Sequence, residues 1–172
     1  MPNRRAVSGG FSVIEAVIVL VILGTIAAIA IPRMSHAGQS AAETSLAGDM
    51  AVWRNALDLY QRDHNGTYPK DSTALAAQLT QYTDLAGEVS TSKDGSHVFG
   101  PYLRSVPPLP VTDPEDVAAV PHGSTTIGPA LIGGAPTRFV PNGYGWLYDG
   151  AGNVYPNTGS LTDITGKLYN SY

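Results

Sequence analysis

The residues that commonly carry catalytic or metal chemistry are few and widely separated in this chain of 172 residues. No two of its four histidines (His36, His64, His97 and His122) are four residues apart, the spacing that places two metal ligands on one helix face. The absence of cysteine excludes disulfides, thiol catalysis and cysteine zinc sites. The sequence also lacks a Gly-x-Ser-x-Gly elbow, a phosphate-binding Gly-Lys-Ser/Thr loop and a plausible pair of catalytic carboxylates. These features predict a protein that is not an enzyme.

One carboxylate has an unusual setting, because Glu15 lies inside a long apolar run. Residues 16–31 carry no charge, and the run counted from residue 11 is 21 residues long. As a helix it would extend roughly 31 Å, which matches the hydrocarbon core of a bilayer. Arg4 and Arg5 precede it, so the positive-inside rule predicts a cytoplasmic N-terminus. A carboxylate in a membrane segment indicates a function. From these physical arguments alone, a cleaved secretory signal, a plain anchor and a specialised helix all remain open.

A short motif at the start of the apolar run favours one of these three alternatives, the specialised helix. Residues 10–15 read Gly-Phe-Ser-Val-Ile-Glu, after a short basic leader. This order resembles the class III signal of type IV pilins and type II secretion pseudopilins, and Gly24 and Pro32 fall where that family often has a helix-loosening glycine and proline. The resemblance implies that a prepilin peptidase cleaves between Gly10 and Phe11 and that Phe11 is N-methylated. It also implies that the apolar helix stays on the mature subunit, first in the inner membrane and then in the core of a helical filament.

The resemblance further assigns Glu15 to filament assembly, paired with the amine of Phe11 on a neighbouring subunit. Such a buried pair adds little net stability, but losing one member leaves an uncompensated charge that costs about 3–5 kcal/mol. Pro32 cannot donate to the carbonyl of Ala28 and crowds that turn, so residues 24–32 form a weak stretch of helix. In the family the equivalent stretch is often partly unwound, which predicts that it stretches on assembly. A static kink is the alternative.

The helix is predicted to continue beyond the apolar run as an amphipathic helix. Apolar residues recur there every three or four positions, which predicts one stripe that packs against a C-terminal sheet. The Asn65-Gly66 pair, followed by Pro69, is predicted to end the helix. The stripe comprises Ala42, Leu46, Met50, Trp53, Leu57 and Tyr60. The predicted divisions are a leader peptide (1–10), a transmembrane and filament-core helix (11–32), its amphipathic continuation (33–64) and a globular head (65–172).

The remainder of the chain is rich in glycine and proline, which predicts turns, loops and short strands. Asp71 or Ser72 is predicted to cap a short helix over residues 73–82. Residues 145–155 are predicted to form a hairpin around an Asp-Gly turn, and Phe139 and Val140 to begin another strand. The predicted fold is α+β and pilin-like. A long N-terminal α-helix packs in its second half against a small antiparallel sheet of three or four strands with long loops.

Two further segments narrow the resemblance to the G-type major pseudopilin. They are residues 65–69, Asn-Gly-Thr-Tyr-Pro, and residues 100–107, Gly-Pro-Tyr-Leu-Arg-Ser-Val-Pro. G-type relatives bind a calcium ion in a C-terminal loop, which implies oxygen ligands in this region. The candidates are Asp113, Asp116, Asp149, Asn153 and Asp163. Their spacing is not that of an EF-hand, and the family pattern fades after residue 110, so ordinary turn chemistry is the alternative for Asp149. No other cofactor is predicted.

The sequence therefore predicts a structural filament subunit, most like the major pseudopilin of a type II protein secretion system. The lack of cysteine favours a pseudopilin or an unconventional pilin, because many type IVa pilins close a loop with a disulfide. The alternatives are a type IV pilus subunit (adhesion, motility or DNA uptake), a minor pilin that binds DNA or a secreted substrate, and an anchored enzyme. Residues 32–172 hold 8 basic and 13 acidic residues, which argues against nucleic acid as a partner.

The expected location and partners follow from this prediction. The subunit is expected to cross the bacterial inner membrane once, with its head outside the cytoplasm, before it enters a periplasmic or surface filament. The expected partners are further copies of the chain, the prepilin peptidase, an inner-membrane assembly platform, and minor pilins or pseudopilins.

Overall fold

The computed structural model describes residues 12–111, 122–130, 143–159 and 161–171, apart from the side chains of residues 31–36 and 170. The chain divides into two compact units, Met1–Gln39 and Ser40–Tyr172. The longest element, helix α1, spans Val13–Asp63 and contributes residues to both. The predicted long N-terminal helix is therefore confirmed.

Within the second unit, α1 carries the predicted apolar stripe into the core. Leu46, Trp53 and Leu57 are each no more than 1% exposed, and Ala42 packs on this core from its edge. The indole of Trp53 meets that of Trp146 edge-on, with ring centroids 5.8 Å apart. The spacing of three and four residues thus places one helix face against the C-terminal strands, as predicted.

The end of α1 is set by the Asn65-Gly66 pair. Asn65 has a φ of 54° and Gly66 a φ of 79°, both in the left-handed region that glycine adopts without a steric penalty. This reversal lets the Gly66 N–H donate to the carbonyl of Gln61 over 2.8 Å and so satisfies one of the last helical carbonyls. The predicted helix stop is confirmed.

Helix α2 spans Ser72–Thr80 and begins at the predicted cap. The carboxylate of Asp71 accepts the Thr73 N–H over 2.8 Å, which satisfies a donor that has no partner inside the helix. The helix ends two residues earlier than predicted, because Gln81 is extended and Tyr82 belongs to a strand. Tyr82 pairs there with Ser90, so sheet pairing replaces a further helical turn.

The described part of the second unit also contains two small sheets. Strands β1 (Tyr82–Thr83) and β2 (Val89–Ser90) pair antiparallel. Strands β3 (Ile127–Pro129), β4 (Trp146–Tyr148) and β5 (Val154–Pro156) form a three-stranded sheet in that order. The predicted hairpin is the antiparallel pair of β4 and β5. A single 3₁₀ turn, Tyr169–Ser171, follows.

The predicted α+β class is confirmed, with one correction to the sheet. Strand β3 pairs parallel to β4, so the three-stranded sheet is mixed and not wholly antiparallel. A parallel pair needs a long connection, and residues 130–145 join these two strands. The predicted strand at Phe139 and Val140 lies outside the described residues.

Candidate filament-assembly site

Glu15 lies in the first turn of α1, where its carboxylate caps the helix. The Ser12 N–H donates to Oε2 of Glu15 over 3.2 Å, and the Ser12 carbonyl accepts the Ala16 N–H over 3.2 Å. Ser12 is the residue before the helix and Glu15 is its third residue, which is the arrangement of a capping box. The negative charge also complements the positive end of the helix dipole. Sequence reasoning missed this role, although the Ser-x-x-Glu spacing signals it.

The capped carboxylate remains exposed to its surroundings. It can therefore meet a positive group from another molecule while it keeps its hydrogen bond to Ser12. The predicted partner group is on Phe11. That residue and Gly10 lie outside the described residues, so the cleavage position and the Glu15–Phe11 pair stay predictions.

The predicted weak stretch is helical in this structure. Gly24 and Pro32 both lie inside α1. A Cβ added at Gly24 would meet nothing within 4 Å, so no contact inside the described part of the chain requires a glycine there. Pro32 removes one backbone hydrogen bond from the ladder because it has no N–H. Unwinding of this stretch concerns the assembled state and stays a prediction.

The first half of α1 exposes an unbroken apolar surface. Residues Val13–Ala30 are long and apolar enough to cross a membrane, and every side chain from Val13 to Ile29 is exposed. Large apolar side chains lie on all sides of this segment, since neighbouring residues such as Val19, Leu20 and Val21 are 48–68% exposed. A helix that is apolar all round requires a lipid or protein environment.

The histidine at the end of α1 has a structural role. His64 is 3% exposed and stacks on the Tyr60 ring, with centroids 3.7 Å apart. Nδ1 of His64 donates to the Tyr60 carbonyl over 2.8 Å, and Nε2 forms a hydrogen bond of 3.1 Å with the Thr83 hydroxyl. Both ring nitrogens are thus engaged inside the core.

Relatives of the chain all carry one name, type II secretion system core protein G. The protein from Pseudomonas aeruginosa is 32% identical over 111 residues, which cover 64% of this chain and 73% of the relative. The protein from Aeromonas hydrophila is 31% identical over 114 residues, covering 66% of this chain and 73% of the relative. The protein from Pectobacterium carotovorum is 30% identical over 101 residues, covering 59% and 60%.

The chain belongs to the core protein G family. This confirms the resemblance to the G-type major pseudopilin and favours a secretion filament over a surface pilus. No family model matches the chain, and no solved structure matches it significantly.

The calcium ion that the resemblance implies for core protein G can be tested against three of the five candidate ligands. Asp113 and Asp116 lie outside the described residues. Asp149 accepts the N–H groups of Ala151 and Asn153 on Oδ1, and the Asn153 side-chain amide donates to Oδ2 over 2.7 Å. Within the described ranges, no three side chains from His, Asp and Glu come together as a metal site. The oxygens of Asp149 face N–H donors and do not fit a cation.

The third of these candidates, Asp163, has the same kind of environment. It is 8% exposed, and its Oδ1 accepts from the Thr165 N–H, the Thr165 hydroxyl and the Lys167 N–H. Three donors that converge on one oxygen stabilise an anion and would repel a cation placed among them. Oδ1 of Asp163 therefore closes its own turn, and among the described residues no three His, Asp or Glu side chains gather there.

A carboxylate that sequence reasoning overlooked contacts the same segment. Oε1 of Glu43, on α1, accepts the Ile164 N–H over 3.0 Å and the Tyr169 hydroxyl over 3.1 Å. The residues are 121 and 126 positions apart in the chain, so no local pattern announces the contact. Glu43 therefore connects the helix of the second unit to the end of the chain.

Proposed function

We propose that this chain is the major subunit of a type II secretion pseudopilus and acts mechanically, by polymerising from the inner membrane to drive protein export. Membership in the core protein G family is the observation that carries this proposal. The exposed apolar half of α1 supports it, because that surface needs first a membrane and then other helices to cover it. The resemblance supplies the order of events: processing, storage in the membrane and extraction into the filament.

Processing is proposed to create the second member of the assembly pair. Cleavage after Gly10 would leave Phe11 as the new N-terminus, one residue before the helix-capping residue Ser12. The amine of Phe11 would carry a positive charge at neutral pH, because an α-amino group has a pKa near 8. N-methylation leaves this amine basic.

Glu15 is proposed to use its charge to place each incoming subunit. A subunit whose Phe11 amine is out of register would leave Glu15 unpaired in apolar surroundings, at a cost of about 3–5 kcal/mol. Assembly in the correct register is therefore strongly favoured over assembly out of register, even where the pair itself adds little stability. The hydrogen bond from Ser12 holds the carboxylate near the helix start in readiness for that encounter.

The proposed topology follows from the charges that flank the apolar helix. Arg4 and Arg5 favour a cytoplasmic N-terminus, which places the second unit on the periplasmic side. The expected partners are further copies of the chain, the prepilin peptidase, the assembly platform, and minor pseudopilins. Neither nucleic acid binding nor catalysis is part of the proposed function.

The proposal is tested by deleting the gene in its own host and following exoproteins and motility. We expect exoproteins to accumulate in the periplasm and to be released again when the gene is restored on a plasmid. Surface piliation and twitching motility are expected to stay normal. Normal exoprotein release with a loss of surface pili would contradict the proposal and identify the chain as a pilus subunit.

A further inference from the structure

Three loops of the head share one turn. They span residues 84–88, 149–153 and 163–167, and each reads Asp-x-x-Gly-x. In each, the aspartate N–H donates to the carbonyl of the fifth residue, over 3.1, 3.2 and 2.8 Å respectively. The fourth residue has a positive φ, between 85° and 93°, which explains the glycine at that position. The three loops therefore form the same closed hairpin end.

The aspartate side chain organises each of these turns in the same way. In all three, Oδ1 accepts the N–H of the third residue and the N–H of the fifth residue. All six distances lie between 2.7 and 3.0 Å. An aspartate that accepts backbone N–H groups two and four residues on is ordinary turn chemistry. Asp149 and Asp163 therefore have the role of Asp84, which was never a candidate metal ligand.

A calcium site would require the opposite arrangement. Calcium takes six to eight oxygen ligands whose lone pairs point at the ion. The carboxylates of Asp149 and Asp163 instead receive N–H and O–H donors, and the side chain of Asn153 presents its N–H to Asp149. The donor sets at these two turns do not fit the ion that the family resemblance implies.

Glu43 links α1 to the last of these turns. Its Oε1 joins α1 to Ile164, which is the second residue of the last turn, and to the hydroxyl of Tyr169, which is 4% exposed. Tyr169 also donates its N–H to the carbonyl of Leu161 over 3.1 Å, so both sides of the turn are held. A charged acceptor forms stronger hydrogen bonds than a neutral one.

We propose that the turns at Asp149 and Asp163 are closed by their own aspartates, and that Glu43 fastens the last turn to α1, without calcium. The proposal concerns the folded subunit and does not rest on the proposed function. It identifies Glu43 as the anchor of the C-terminal segment.

The test is hydrogen exchange on the full chain in detergent, resolved at the amides of residues 151, 153, 164, 165 and 167. We expect the rates in excess calcium and in excess EGTA to agree within about twofold. Removal of the carboxylate in Glu43→Ala should raise exchange at Ile164 about tenfold, because two hydrogen bonds to a charged group are lost. Asp58→Ala is the matched control, since it removes a different carboxylate from α1, an exposed one, and should leave these amides unchanged.

If Glu43→Ala folds poorly, Asp163→Asn provides a second test of the proposal. Asparagine preserves an oxygen that can accept the Thr165 and Lys167 N–H groups, so we expect exchange in this turn to rise by less than about threefold. The proposal is overturned if EGTA raises exchange in the wild-type turns tenfold or more and calcium reverses it. It is also overturned if Glu43→Ala and Asp58→Ala exchange alike at Ile164. Because the readout comes from single subunits, a failure to form filaments would not affect it.

Discussion

The two halves of α1 differ in what covers their apolar side chains. Leu57, in the second half, is 1% exposed because it lies in the apolar core of its own chain. Leu20, in the first half, is 68% exposed, and no side chain between Val13 and Ile29 is covered. One helix therefore carries two apolar surfaces. Folding of the subunit buries the surface in the second half and leaves the surface in the first half exposed.

The difference is large enough to dictate where the protein resides. Eleven large apolar side chains between Val13 and Ile29 are exposed. At about 1.5–3 kcal/mol for each fully buried side chain, their exposure to water costs on the order of 10 kcal/mol or more. That exceeds what a small domain can spare. A bilayer before assembly and neighbouring helices after it are the two environments that the proposed function provides.

Loss of the Glu15 charge should show the largest difference between the two halves, because it should impair filament assembly without changing the stability of the head. Glu15→Ala is expected to reduce the number of filaments at least tenfold, because the assembly pair is lost. The melting temperature of the head should stay the same, since the hydrogen bond of the Glu15 carboxylate is to Ser12, at the start of α1. Electron microscopy of filaments and calorimetry of the purified subunit measure the two effects.

A conservative variant shows which role of Glu15 matters. Glu15→Gln keeps an oxygen that can accept the Ser12 N–H and so preserves the helix cap, but it removes the charge. We expect it to assemble as poorly as the alanine variant. Normal filaments from Glu15→Gln would mean that capping, and not charge pairing, is what assembly requires.

Truncation of Trp53 should have the reverse effect. Trp53→Ala is expected to destabilise the head by about 3–5 kcal/mol, because it leaves a large cavity against Trp146. Its indole N–H has no hydrogen-bond partner among the described residues, so Trp53→Phe should cost clearly less. Chemical denaturation of the subunit in detergent measures both. A cost below about 1 kcal/mol for the alanine variant would contradict the central place of this residue in the core.

Two glycines should respond to alanine with opposite signs. Gly66 has a φ of 79°, so Gly66→Ala strains the end of α1 and should cost about 1 kcal/mol. Gly48 lies on the exposed side of α1 with nothing within 4 Å of an added Cβ, so Gly48→Ala should stabilise the subunit by about 1 kcal/mol. Equal signs in a denaturation experiment would contradict the structure at one of the two positions.

Acid should loosen one loop of the head, at Asp94. Hydrogen bonds from the His97 N–H, and next from the Ser96 N–H, lower the pKa of Asp94 from 3.8 to about 2. Because the folded pKa lies below the unfolded one, the contribution of Asp94 is complete above pH 3.8 and is lost as the pH falls towards 2. Protection of the Ser96 and His97 amides, measured as the exchange rate relative to the intrinsic rate at each pH, should fall over that interval, and Asp94→Asn should abolish this change. Protection that does not depend on pH in the wild type would contradict the expectation.

Periodic and local features were predictable from the sequence. The stripe on α1 repeats every three or four residues, and the Asp71 cap and the Asn65-Gly66 stop use residue types whose conformational preferences are strong. The parallel pairing of β3 and β4 was not predictable, because a hairpin pattern reports only neighbouring strands. The anchor at Glu43 joins residues more than 120 positions apart.

Two patterns in the sequence support more than one interpretation. Asp149 and Asp163 are candidate calcium ligands by resemblance, yet both begin the Asp-x-x-Gly turn that also occurs at Asp84. The charge of Glu15 predicts an assembly pair, whereas the Ser12-x-x-Glu15 spacing is that of a capping box. In each case the carboxylate is a candidate metal ligand or ion-pair partner, but it also accepts hydrogen bonds from backbone N–H groups. The residue type alone does not distinguish these roles.

The most direct test of this account is the intact mass of the protein produced with and without a prepilin peptidase. The account predicts that the peptidase yields one product that begins at Phe11, carries one added methyl group and keeps the whole apolar helix. Without the peptidase, the leader should remain attached. A product cut after the apolar helix, or a full-length mass in the presence of an active peptidase, would contradict the central claim.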